Sequence, residues 1–571
     1  MWTIVLLLPF VLVGGAEFVL RIAGVGHDLE PLFIPSPQQP GYLQANPRAV
    51  TRFFTDPAQA PSLSIETAYF AARKAPGTFR VFVQGESSAA GFPYGLGASL
   101  AGVLDRRLEF AFPEREIEVI STAMAAVNTY ALLDFADEII AQQPDAVIVY
   151  VGHNEYLGIL GVGSSMRMAS TPRTTRAFLA VRELRLFQLI SLLYRKLAPA
   201  PGTPSADSGD SLMARVAGER SIPLNSALYR RGLEQFSTNL GDLLETYRRA
   251  GIPVFVGTLV SNERDQMPLA ILSAAETDSA GAAKTAYLAA QDAESSEDFK
   301  SARQGYAWAR DLDPLRFRAP SEFNAIVAST AATHGAGVVA VHEAFVRASP
   351  HGLVGSTLLL EHVHPNLEGY LLLADAFYDA LLEIEMPGRP GVRTSRDEDR
   401  AWMPVSEVDR WFGEYKARKI RSTWPFEVGA SSFQLPPAAS EAERIAQDLY
   451  QERIGWPDAQ DRLRQYYRTS GDKQGYARVT AILGDAFPFS GQLQFETAAA
   501  LIDVGQPAAA LRYARRAAGI EPRNVNALLV HAHALLLLGR PAAGRALLEQ
   551  VLLLEPGNAT ARDAIKELDR N

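Results

Sequence analysis

Residues Phe79 to Gly91 read FRVFVQGESSAAG, a short apolar run that passes through a glycine into serine and small residues. An apolar run of that length, rich in Phe and Val, reads as a buried strand, and the small residues behind it can begin a helix. Further runs of the same kind lie at Ile117 to Ile120, Ala146 to Val151, Pro253 to Leu259 and Gly337 to Val341. Helical patterns at Leu100 to Phe112, Leu132 to Gln142 and Leu228 to Ala250 separate them. Strands that alternate with helices imply a parallel sheet covered on both faces, with its active site beyond the carboxyl ends of the strands.

Three blocks fall at such strand ends or loops. In Gly85-Glu86-Ser87-Ser88 the serine sits where a helix begins, so free backbone N–H groups there favour an anionic hydroxyl and tetrahedral intermediate. The bland reading of such a serine is a helix cap, and the G-x-S-x-G elbow is not present because Ala89 takes the last position. The third run ends in Gly152-His153-Asn154-Glu155, where Asn154 can donate its amide to an oxyanion and Gly152 lets backbone come close. His153 is a minor contender for base. In Glu361-His362-Val363-His364-Pro365 a carboxylate three residues before a histidine can hold Nδ1 and leave Nε2 free for the serine proton. His362 is expected to point elsewhere.

Together the blocks resemble the SGNH (GDSL-like) hydrolase family over roughly Thr78 to Leu382. The resemblance implies a flavodoxin-like three-layer α/β domain with a five-stranded parallel sheet, and two-step acyl transfer without a cofactor. It assigns Ser87 as nucleophile, His364 as base and Glu361 as orienting acid. It places the oxyanion hole at Ser87, Ala126, Gly152 and Asn154. The chain departs from the family pattern at Glu86 and Glu361, where Asp is usual, and at Ala126, where Gly is usual. Loops expected to shape the pocket are Phe92 to Gly95, Tyr156 to Gly158 and Asn262 to Asp265.

The chain has 571 residues, more than one core accommodates. Its net charge of -9 argues against a nucleic-acid partner, which requires clustered cations. Cysteine is absent, which excludes disulfides, thiolate catalysis and cysteine-ligated zinc. No HExxH-type pair exists among the nine histidines, so no metal site is expected.

Residues 1–24 carry an uncharged apolar run, MWTIVLLLPFVLVGGA, that reads as a membrane anchor, with a cleaved signal peptide or a buried helix as the alternatives. With an anchor the catalytic domain is expected on the extracytoplasmic side, while Arg21 after the run weakly favours the opposite orientation by the positive-inside tendency. Residues 25–77 form an N-terminal extension and 78–385 the catalytic domain, with a helical insert near 282–314 that resembles one repeat unit. Ala198 to Ser211 reads as a flexible loop, and 386–440 as an irregular docked linker carrying Trp402, Trp411 and Trp424. From 441 to 571, Gly471, Gly505 and Gly539 recur every 34 residues, as do Pro488, Pro522 and Pro556, the period of tetratricopeptide repeats. The expected function is a serine esterase on an acyl ester, a carbohydrate-borne one among the candidates, with a protein partner on the repeats. The alternatives are an O-acyltransferase modifying an envelope polysaccharide, or a repeat scaffold with a vestigial hydrolase domain.

Overall fold

The structure is a computed structural model that describes residues 2–54, 60, 69–113, 115–167, 169, 171–197, 212–273, 277–384, 395–428 and 433–570. The loop expected at Ala198 to Ser211 lies outside them. Three short strands, β1 (Phe33–Pro35), β2 (Tyr42–Ala45) and β3 (Tyr69–Ala71), pair antiparallel within the N-terminal extension. The sequence reading missed this sheet, because each strand is only three or four residues long and shows no extended alternation. Its rings Phe33 and Phe70 meet Phe82 edge-on at 5.7 and 5.8 Å, which fastens the extension to the main sheet.

The five expected strands are all present: β4 (Phe79–Gly85), β5 (Ile117–Ser121), β6 (Ala146–Tyr150), β7 (Val254–Gly257) and β8 (Gly337–Val339). They form one parallel sheet in the order β5-β4-β6-β7-β8. This is the flavodoxin-like arrangement, whose direction of winding reverses between β4 and β6. Every residue of β4 and β6 is buried, as helices on both faces require. Burying a ring such as Phe82 stabilises by about 1.5–3 kcal/mol relative to leaving it exposed. The covering helices are Leu100–Ala111, Thr129–Ile140, Ala227–Arg249, Ser321–His334 and Leu367–Leu381. Polar caps set several of their starts: the Ser99 and Asn366 side chains accept the N–H groups of Gly102 and Gly369. Gly85 pairs with Tyr150, so the chain leaves β4 and β6 side by side at the reversal point.

The insert is a pair of helices, Asp278–Ser295 and Phe299–Leu312, packed through Tyr287, Ala290, Ala302 and Tyr306. The stretch expected to be an irregular linker contains two helices instead, Arg396–Trp402 and Glu407–Arg421. Each begins with a capping box, Ser395 with Glu398 and Ser406 with Asp409, a local signal visible in the sequence. Eight helices follow between Glu441 and Arg570. Gly471, Gly505 and Gly539 sit at helix ends with φ of 77°, 74° and 70°, a left-handed conformation that glycine adopts without steric cost. That requirement explains the 34-residue recurrence.

The repeats are bound to the α/β domain rather than tethered beside it. Arg106 of Leu100–Ala111 pairs with Asp485 and donates to Tyr513 Oη at 2.8 Å. Arg516 pairs with Glu116, and Arg515 donates to the carbonyls of Pro113 and Arg115 at 2.9 and 2.8 Å. Trp2–Ile22 forms one helix of 21 residues. Among the described residues no helix is long and apolar enough to cross a membrane, so the spanning expectation for residues 1–24 finds no support.

Candidate active site

Ser87 opens a single helical turn, Ser87–Ala90, directly after β4, and is half-buried between the buried Glu86 and Ser88. The Ser88 hydroxyl donates to the Val363 carbonyl at 3.1 Å, which joins this turn to the loop before Leu367–Leu381. His364 comes from that loop. Its Nδ1 hydrogen-bonds Glu361, and with that nitrogen donating, Nε2 is left to accept the Ser87 hydroxyl at 2.7 Å. The structure therefore brings Ser87, His364 and Glu361 into one connected line.

His362 does not point elsewhere, contrary to expectation. Its Nδ1 hydrogen-bonds the second oxygen of Glu361, so one carboxylate serves two imidazoles. The Glu361 side chain is buried, which by itself would raise its pKa, yet the two imidazoles hold it well below the usual carboxylate range. Burial pushes the His362 pKa down, against the pull of Glu361. The ligating atoms of Glu361, His362 and His364 lie within 4.8 Å, a spacing a cation could share. Both imidazole Nδ1 atoms are here engaged by the carboxylate.

His153 lies outside this line. Its Nδ1 accepts the Ala319 N–H at 3.2 Å, and burial, reinforced by His362 and His364, pushes its pKa down to about 3. A neutral, buried imidazole without Ser87 as partner is a structural group.

Asn154 is the one residue of 146–164 that is not buried. Two buried carboxylates hold the loop that carries it. Glu86 accepts the N–H groups of Gly152, His153 and Asn154 at 3.1, 2.9 and 3.0 Å. Glu155 accepts the Thr129 N–H at 3.2 Å, the Thr129 hydroxyl at 2.7 Å and Gln235 Nε2 at 2.6 Å. Burial pushes Glu86 up to about 8 against its three N–H donors, and Glu155 up to about 7. Ala126 has φ of 59°, in the left-handed region where glycine is at ease and alanine is strained. Its carbonyl accepts the Ile159 N–H at 2.7 Å, which ties it to the end of the same loop. Gly152, at φ 152°, is packed so that a Cβ would meet Leu259 at 2.3 Å.

Of the loops expected to line the pocket, Phe92 does so, its ring centroid 4.5 Å from that of His364. The second does not: Tyr156 and Leu157 are fully buried, with Tyr156 stacked between Tyr229 and Phe323. In the third, the Asn262 N–H donates to the His362 carbonyl at 2.9 Å, whereas Glu263 is engaged by Arg310. Sequence reasoning missed the contribution of the segment after the α/β domain. Lys416 Nζ lies 5.2 Å from the Phe92 ring, Phe426 meets His362 at 5.4 Å, and Trp424 meets Phe317 at 6.1 Å. A cavity of about 790 Å³, lined by neither Ser87 nor His364, lies between β5 and the repeats, bounded by Tyr69, Tyr94, Arg106, Lys416, Phe487 and Arg512.

The fold and these groups define the class: an α/β domain of flavodoxin-like order with a Ser-His-Glu line at the winding reversal, followed by helical repeats. The family model for the tetratricopeptide repeat matches residues 501–568. No curated protein matches the chain. Similar solved structures include the lipase/acylhydrolase from Enterococcus faecalis, at 13% identity and a TM-score of 0.28, over 55% of this chain and 99% of that one. TesA is similar at 12% identity and a TM-score of 0.25, over 53% of this chain and 97% of that one. A GDSL-like lipase from Bacteroides thetaiotaomicron is similar at 12% identity and a TM-score of 0.25, over 53% of this chain and 88% of that one.

Proposed function

We propose that the chain is a serine esterase of the SGNH type that cleaves an acyl ester through an acyl-enzyme. The observation that carries this reading is the Ser87 hydroxyl on His364 Nε2 at 2.7 Å, with Nδ1 of the same ring on Glu361. His364 takes the hydroxyl proton as Ser87 Oγ attacks the ester carbonyl, and Glu361 stabilises the imidazolium that forms. The tetrahedral oxyanion is met by the Ser87 and Ala126 backbone N–H groups and the Asn154 amide, with Gly152 leaving room for the loop. Collapse expels the alcohol, which takes the proton from His364. Water then attacks the acyl-enzyme, giving its proton to His364, and release of the carboxylic acid restores the Ser87 hydroxyl.

The test is labelling with a fluorophosphonate probe alongside hydrolysis of an activated acetyl ester, comparing the wild type with Ser87→Ala. Loss of both label and turnover in a folded variant is the expected result; activity within a few-fold of wild type ends the assignment of Ser87. Product analysis with a polysaccharide present separates water from a sugar hydroxyl as acyl acceptor.

A further inference from the structure

More than half of the exposed large apolar side chains among the described residues lie in one two-helix element. Its first helix is Trp2–Ile22, and its second, Arg185–Leu197, belongs to the α/β domain far along the chain. Leu186 N–H donates to Glu17 at 3.0 Å and Arg21 donates to the Glu183 carbonyl at 3.3 Å. Residues 21 and 17 thus meet 183 and 186 in turn, and the helices run in opposite directions. Four of the five exposed apolar side chains of the second helix share one face, and Leu192, exposed at 42%, lies off it. Ile190, Leu193, Tyr194 and Leu197 stand at the i, i+3, i+4, i+7 spacing of a single stripe, exposed at 56, 49, 68 and 85%.

We propose that this hairpin is a lipid-inserted element, in which Arg185–Leu197 lies in the membrane interface beside the first helix and seats the α/β domain on the bilayer. The argument for lipid over a protein partner is geometric. At about 100° per residue, Val11 and Val13 project from nearly opposite sides of the first helix. They are exposed at 66 and 45% respectively. A second protein surface covers one side of a helix, whereas lipid surrounds it, and Trp2 to Ala16 contains no charged residue on any side. Lys196 is exposed off the edge of the second stripe, where an interfacial cation reaches headgroups. The chain as a whole does not supply the attraction, since its net charge of -9 repels anionic surfaces. No single helix needs to cross for this mode, which agrees with the absence of a crossing helix among the described residues.

The inference is independent of the catalytic reading and is tested on the full chain. Because the chain has no cysteine, single cysteines can be placed cleanly. Leu197→Cys, and as control Leu553→Cys in the repeats, exposed at 84%, are labelled with a polarity-sensitive dye and mixed with phosphatidylcholine vesicles. A blue shift at 197, quenched by brominated lipid and absent at 553, is expected. Flotation should show binding that survives high salt and falls roughly tenfold in a Leu193→Asp, Leu197→Asp variant that melts like the wild type. No dye shift at 197, or flotation equal in the variant, overturns the proposal. So does a dimer that the variant disperses in a chain without vesicle binding, which would assign the stripe to a second copy.

Discussion

The Glu86 carboxylate accepts the Asn154 backbone N–H at 3.0 Å, so the residue beside the candidate nucleophile directly holds the residue expected to bind the oxyanion. With the Gly152 and His153 N–H groups on the same carboxylate, Glu86 sets the distance between the two loops. In Glu86→Gln the amide nitrogen cannot accept the His153 N–H, and the loop shifts. The expected outcome is a kcat lower by about 100-fold on an activated ester, the scale of a misplaced group, with fluorophosphonate labelling of Ser87 slowed but retained. Wild-type kcat in this variant would remove Glu86 from the geometry of the site.

The two histidines on Glu361 should separate by kinetics. His364→Ala removes the group that moves the proton and should lower kcat by roughly 10,000-fold. His362→Ala leaves the Glu361 to His364 bond in place. Its loss should be about tenfold, and Glu361→Gln should fall between the two. Equal losses in the two histidine variants would show that both rings carry the proton transfer.

Stability should fall as pH rises from about 6.5 to 8. Glu86 and Glu155 have folded pKa values of about 8 and about 7, above the ordinary 4.5. A raised carboxyl pKa gives stability that is full below the unfolded value and lost as pH climbs through the folded one. His153, held down to about 3 from 6.5, works in the other direction, but only below about 6.5. The slope above 6.5 therefore belongs to the carboxyls. Thermal midpoints of Glu86→Gln across this window should decline less than those of the wild type; parallel curves would mean that Glu86 does not titrate there.

The repeats should contribute to the stability of the α/β domain. Asp485→Ala leaves the buried Arg106 without its carboxylate across the interface, with Glu109 of its own helix at 3.5 Å as the remaining ion-pair partner. Removing one partner of a buried pair costs about 3–5 kcal/mol. Urea unfolding followed by tryptophan fluorescence should show an unfolding free energy lowered by that amount, and a chain ending near Leu435 should unfold more readily than the full chain. An unchanged midpoint in Asp485→Ala would show that the repeats are a separable module.

The main sheet, the three chemical blocks and the 34-residue repeat were all legible in the sequence. Each depends on local order: apolar runs of strand length, a serine or asparagine at a strand end, a glycine wherever a helix must close with positive φ. The short antiparallel strands were not legible, because three residues carry no period. The helices Arg396–Trp402 and Glu407–Arg421 could have been found from their capping boxes, a signal masked by the prolines and tryptophans around them.

What the sequence alone determined is thus the α/β class, the repeat class and the candidate residues Ser87, Asn154, Glu361 and His364. Only the tertiary structure decided that Glu361 serves both His362 and His364, that Glu86 holds the Asn154 loop, and that the repeats dock on Leu100–Ala111. The physical reason is separation along the chain. Ser87 and His364 are 277 positions apart, and Arg106 and Asp485 are 379 apart. Local propensity acts over a few residues, so such pairs are chosen only when packed elements bring their side chains within hydrogen-bond reach.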